Sequence, residues 1–115
     1  MLSRLAQEFA DEIANHDWSD APYRLDRAGH SREHDSHSNT KVLSDRETDA
    51  VRTNVMWVAA QVLLHADPNL DPHEFAAACG VPKRITHNND GAKSGAITAG
   101  LRRSNGKAAP PGRWS

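Results

Sequence analysis

The sequence predicts a small all-α domain of three to four helices, and three observations predict it. Apolar residues recur at spacings of three and four near the N-terminus and again through the middle of the chain. Two helix starts carry their own capping chemistry, at Ser44 and at Asp71. The length, 115 residues, fits one domain and not two. The expected organisation is a helical domain over 1–103, interrupted by a mobile polar loop at about 19–41, and a disordered basic tail over 104–115.

The first helix is expected from about Leu2 to His16. Leu2, Leu5, Phe9 and Ile13 repeat at three or four residues, with Ala6 and Ala10 beside them. Arg4, Glu8, Asp11 and Glu12 fill the other side, so the helix reads as amphipathic with one buried stripe. It ends where Asn, Asp and Ser accumulate ahead of Pro22. In the following loop, residues 29–40 contain no apolar side chain and offer nothing to offset the entropy of ordering them.

The second helix is expected over 45–66. Ser44-Asp45-Arg46-Glu47 is a capping box: the serine oxygen accepts from the amide of Glu47, and the Glu47 carboxylate reaches back to the amide of Ser44. Val51, Val55, Val58 and Val62 then form a stripe at steps of four, three and four, widened by Ala59, Leu63 and Ala66. That valine edge is expected to face the core as the hub of the fold. Trp57 and Leu64, joined by Ala60, fall on a different side of the helix. A helix apolar over most of its circumference is central in its fold or sits at a subunit interface, so Trp57 and Leu64 are the expected partner interface.

A third helix is expected over 72–79. Asp71 caps it, Pro72 suits its first position, Glu74 its first turn, and Gly80 closes it. A weak fourth helix is expected at 92–103, where Ile97 and Leu101 stand four apart between Gly95 and Gly100. Each of those glycines costs such a helix about 1 kcal/mol relative to alanine.

Composition excludes several classes. No apolar run approaches the roughly 20 residues that cross a bilayer, so no membrane association is expected. Met1–Ala10 contain Glu8 and no continuous apolar stretch, so no secretory signal is expected. Cys79 is the sole cysteine, so neither a disulfide nor a cysteine-based zinc site forms within one chain. A cytoplasmic protein is the resulting expectation, with no cofactor.

Charge is distributed unevenly. Residues 1–50 carry a net −5, residues 51–90 a net −1 and residues 91–115 a net +5 with no acid at all. An acidic head and a basic tail attract each other within or between chains, and the tail also suits phosphates. Leu, Ile, Val and Phe together number only 19, so a lone copy buries few large side chains and a homodimer is expected to help.

No catalytic set is evident. Cys79 falls in the last turn of its helix, where the carbonyl ends raise a thiol pKa. Asp11 and Glu12 lie on a wet face. Gly91-Ala92-Lys93-Ser94-Gly95 lacks the glycine and the Gly-Lys-Ser order of a phosphate-binding loop. The expected function is therefore non-catalytic binding of a macromolecule, either a protein partner or a second copy.

Two alternatives stand beside it. Residues 72–89 resemble part of a helix-turn-helix unit, with Ala76 inside the first helix, Gly80 in the turn, and Phe75, Cys79 and Val81 around it. The resemblance covers about 18 residues and implies a small DNA-binding regulator. Lys83, Arg84, Thr86, His87, Asn88 and Asn89 would lie on its second helix, and the basic tail, including Arg102 and Arg103, would assist. The pattern departs from the unit at Thr86 and Asn89, which stand where packing residues belong, and at Asp90-Gly91, which shorten the second helix. The other alternative is a metal-responsive protein. His30, His34 and His37 are spaced to share one side of a helix, although no apolar residue there builds a second shell.

Overall fold

A computed structural model describes residues 1–23, 25, 28 and 42–113. The chain is mainly helical: α1 (Arg4–Asn15), α2 (Asp45–Ala66), α3 (Pro72–Ala78), and the single turns α4 (Lys83–Thr86) and α5 (Ala96–Ala99). A two-stranded antiparallel ribbon, β1 (Arg103–Ser104) and β2 (Lys107–Ala108), follows. Among the described residues, no helix is long and apolar enough to cross a membrane.

Local chemistry sets the helix ends. Ser3 caps α1 through its side chain, which accepts from the amide of Ala6 at 3.2 Å. The capping box of α2 is formed in both directions, Glu47 N to Ser44 Oγ at 3.2 Å and Ser44 N to Glu47 Oε1 at 2.9 Å. Those contacts hold the Glu47 carboxyl below its ordinary value. Asp71 Oδ1 accepts from the amides of His73 and Glu74 at the start of α3. Gly80 has φ +88°, and the amides of Gly80 and Val81 return to the carbonyls of Ala77 and Ala76. This is the paired closure that a left-handed residue permits after a helix.

Helices α1, α2 and α3 pack on one another, and α4 and α5 pack against α3. Phe75, Met56, Ile97 and Cys79 are fully buried at the centre. On α1 the inner face is Ala6, Ala10 and Ile13, whereas Leu5 is 57% and Phe9 44% exposed. The expected stripe of large side chains is therefore only half inside. Alanines four apart let the backbone of α1 approach its neighbours closely, and Leu5 and Phe9 stay outside that contact.

Helix α2 corrects the sequence expectation more sharply. Its inner face is Thr53, Met56, Ala60, Leu63 and Leu64, all buried. Val58 is 72% and Val62 49% exposed, with Val51 and Val55 only partly covered. At 100° per residue the two stripes stand roughly 160° apart, so the side expected to face a partner is the inner one and the valine hub faces outward. Polar Thr53 is tolerated inside because its hydroxyl donates to the carbonyl of Asp49 at 2.7 Å.

Two further expectations change, and the loop expected at 19–41 falls largely outside the described residues. The ends of the 19–41 loop meet where Leu43 N donates to Ser19 O; residues 24, 26, 27 and 29–41 lie outside the described residues. The fourth helix shrinks to the one turn of α5, flanked by Gly95 and Gly100. The tail forms β1 and β2 around Asn105 (φ 56°) and Gly106 (φ 78°), the left-handed pair that a tight hairpin turn needs. Ala109, just beyond the ribbon, is buried.

Candidate functional site

The outward face of α2 meets the C-terminal segment in a groove of about 420 Å³. Asn54, Trp57, Val58, Gln61 and Val62 form one wall. Gly100, Arg102, Pro111 and Gly112 form the other. The wall supplied by the tail is held by one buried side chain. Gln61 accepts from the amide of Arg102 at 2.8 Å and donates to the carbonyls of Arg102 and Ala109, each at 3.1 Å. A primary amide offers both a donor group and an acceptor, which is what a returning chain end requires.

Trp57 is partly buried between the groove and α5, and its Nε1 donates to the carbonyl of Ile97 at 2.9 Å. A Cβ added at Gly100 would overlap the Trp57 indole ring, so the glycine is what lets the tail lie against the aromatic. Gly100→Ala is expected to be destabilising. The substitution gains at most about 1 kcal/mol of helix propensity, while an overpacked contact costs about 1–3 kcal/mol. Loss of the Trp57 hydrogen bond adds about 1 kcal/mol. The net loss of about 1–3 kcal/mol would lower Tm by on the order of 5–15 °C in a thermal melt.

Among the described residues are two further depressions. One, of about 200 Å³, lies between the end of α2 and the ribbon and includes His65, Arg103 and Lys107. His65 Nδ1 stands 3.3 Å from the carbonyl of Ala108. The other is open and polar, formed by Arg84, His87, Asn88, Asn89 and Asp90. Arg84 is committed to Asp49 at 3.0 Å, and Asp49 also holds Arg52 at 3.1 Å, which ties α4 to α2.

The residues singled out in the sequence divide clearly. Leu64 is 5% exposed and belongs to the core, which corrects its place in a partner interface; Trp57 keeps one edge on the groove. Of the helix-turn-helix set, Lys83, Arg84 and Thr86 lie on a helix of four residues, and Thr86 is buried with its hydroxyl 2.7 Å from His87 Nδ1. Asn88 and Asn89 sit in the turn that follows, with Asn88 N donating to Ala92 O. One helical turn, about 6 Å long, does not form the expected recognition helix. Arg102 lines the groove and Arg103 is exposed on the ribbon. His30, His34 and His37 lie outside the described residues. Among the described residues, no three His, Cys, Asp or Glu side chains gather as metal ligands would.

Cys79 is fully buried, and burial pushes its thiol up to about 12. The folded chain is expected to resist a thiol reagent at pH 8 and to react fully in denaturant. Between the ordinary thiol value of 9.0 and about 12 the unfolded chain binds fewer protons than the folded one, so stability falls as pH rises through that window.

Sequence reasoning missed Val58, Val62, Gln61 and Gly100 as site residues. No protein-family model, curated protein or solved structure matches this chain.

Proposed function

We propose that this chain is a non-catalytic binding module that engages a protein partner through the outward face of α2 and the groove beside it. The observation that carries the reading is the pair Val58 and Val62, 72% and 49% exposed, beside an edge of Trp57 and a groove of about 420 Å³. Apolar side chains gathered around a preformed groove are the arrangement of a contact surface, and a tryptophan at its edge suits an anchor. Cys79, the sole thiol, is fully buried and so offers no accessible nucleophile to this reading.

A second reading, contact with nucleic-acid phosphates, is favoured by one observation. Lys93, Arg102, Arg103, Lys107 and Arg113 are the charged residues of 91–113, with no acid among them, and Arg103 and Lys107 are exposed on the ribbon. A pull-down from host extract, with and without nuclease, separates the two. The protein-binding reading expects a protein captured by the wild-type chain, retained through nuclease and lost on Val58→Asp. Release by nuclease, with affinity falling steeply in salt, supports the second reading. Capture that Val58→Asp leaves unchanged overturns the proposed surface.

A further inference from the structure

We infer that the groove on α2 receives helix α1 of a second copy of this chain, in a head-to-tail contact. This deepens the protein-binding reading and rests on it. Among the described residues two helices carry an uncovered apolar ridge, Leu5 with Phe9 on α1 (57% and 44% exposed) and Val58 with Val62 on α2 (72% and 49%). Each is an i, i+4 pair, so both ridges have the same spacing of about one helical turn. Ridges of that spacing interdigitate when two helices pack.

Charge selects between the ways of pairing them. Glu8 and Glu12 are exposed and fall within about 100° of Leu5 and Phe9 around α1. Residues 1–18 carry four acids against one arginine. The groove side has the opposite sign, with Arg102 in its wall and Arg103 and Arg113 following in an acid-free stretch. A symmetric contact puts the same patch on both copies. Groove on groove would set Arg102 toward Arg102, and α1 on α1 would set Glu8 and Glu12 toward their equivalents. Only α1 on groove brings unlike charges together over matched ridges.

Such a contact is heterologous, so it leaves one free face at each end and extends beyond a dimer unless it closes into a ring. One ridge of two large side chains on each side falls short of the roughly 20–30 residues of a standard interface, so association is weak and salt-sensitive.

Sedimentation of the full chain tests this. At low ionic strength the weight-average mass is expected to rise with concentration past that of a dimer, and to fall on adding salt. One variant carries Leu5→Glu and Phe9→Glu, another Val58→Asp and Val62→Asp. Each is expected to sediment as a monomer, and their mixture to form a one-to-one dimer that grows no further, because each supplies the face the other lacks. Glu8→Lys with Glu12→Lys, which touches no buried side chain, is expected to give the same monomer. The exposed Arg4–Glu8 contact it breaks has little worth. A wild-type chain that stays monomeric, an α1 variant that still self-associates, or variants that fail to pair on mixing overturns the inference. None of these removes the broader reading, which fails only through the capture pattern described above.

Discussion

Replacing Phe75, the largest of the fully buried side chains described, by alanine is expected to cost about 3–5 kcal/mol. Phe75 is fully buried on α3 beside Met56 and Ile97 at the centre of a core built mostly from small side chains. Removing the ring leaves a cavity that alanines cannot collapse to fill. Domains of this size hold about 5–15 kcal/mol in all, so the variant sits near the edge of folding at 37 °C. The chain has a second phenylalanine that serves as the control. Phe9 is 44% exposed, and Phe9→Ala is expected to cost no more than about 1 kcal/mol. Urea midpoints of the two variants measure the contrast. Similar losses at both positions would place Phe9 in the core after all.

Gln61→Leu is expected to release the C-terminal segment from α2. Leucine nearly conserves volume but removes all three hydrogen bonds to Arg102 and Ala109. Leaving a buried amide or carbonyl unpaired costs about 1–3 kcal/mol per group. The segment avoids that penalty by letting water in, so the loss is limited to its docking free energy, about 2–4 kcal/mol. Hydrogen exchange reads the result directly. The Arg102 amide is expected to lose its protection, while amides in the first half of α2 keep theirs. Uniform loss through α2 would mean that Gln61 supports the whole core and not this wall.

What could be read from the sequence is what neighbouring residues decide among themselves. Ser44 with Glu47, Asp71 with Pro72, and Gly80 each carry a complete local reason for a helix end, and all three act as expected. Which face of α2 points inward is a different kind of question. Val51-Val55-Val58-Val62 and Met56-Ala60-Leu63-Leu64 both satisfy helical spacing, so periodicity supports either. The outcome depends on α1 and α3, distant in sequence, against which the larger Met56, Leu63 and Leu64 pack while the smaller valines stay outside. The same holds on α1, where Ala6 and Ala10 displace Leu5 and Phe9 from the interior.

The ribbon stands where disorder was expected, over part of 104–115. Asn105-Gly106 is a strong hairpin signal, but Arg103, Ser104 and Lys107 give no alternating apolar flank to support it. Its anchor is Gln61, more than 40 residues earlier, and no local pattern reveals that glutamine as a clamp. Gly100 is the converse case. The sequence marks it as a helix breaker, whereas the structure gives it a second role as the space that Trp57 occupies.

The account turns on the orientation of α2, and a paired thermal melt tests it most directly. Val58→Asp and Met56→Asp place the same charge two residues apart on one helix, and are measured at a concentration where each chain is monomeric. The orientation described here predicts that Val58→Asp stays within about 0.5 kcal/mol of wild type. Met56→Asp is predicted to lose several kcal/mol by burying an unpaired carboxylate. The reverse ranking would put the valines inside and contradict the groove together with everything proposed for it.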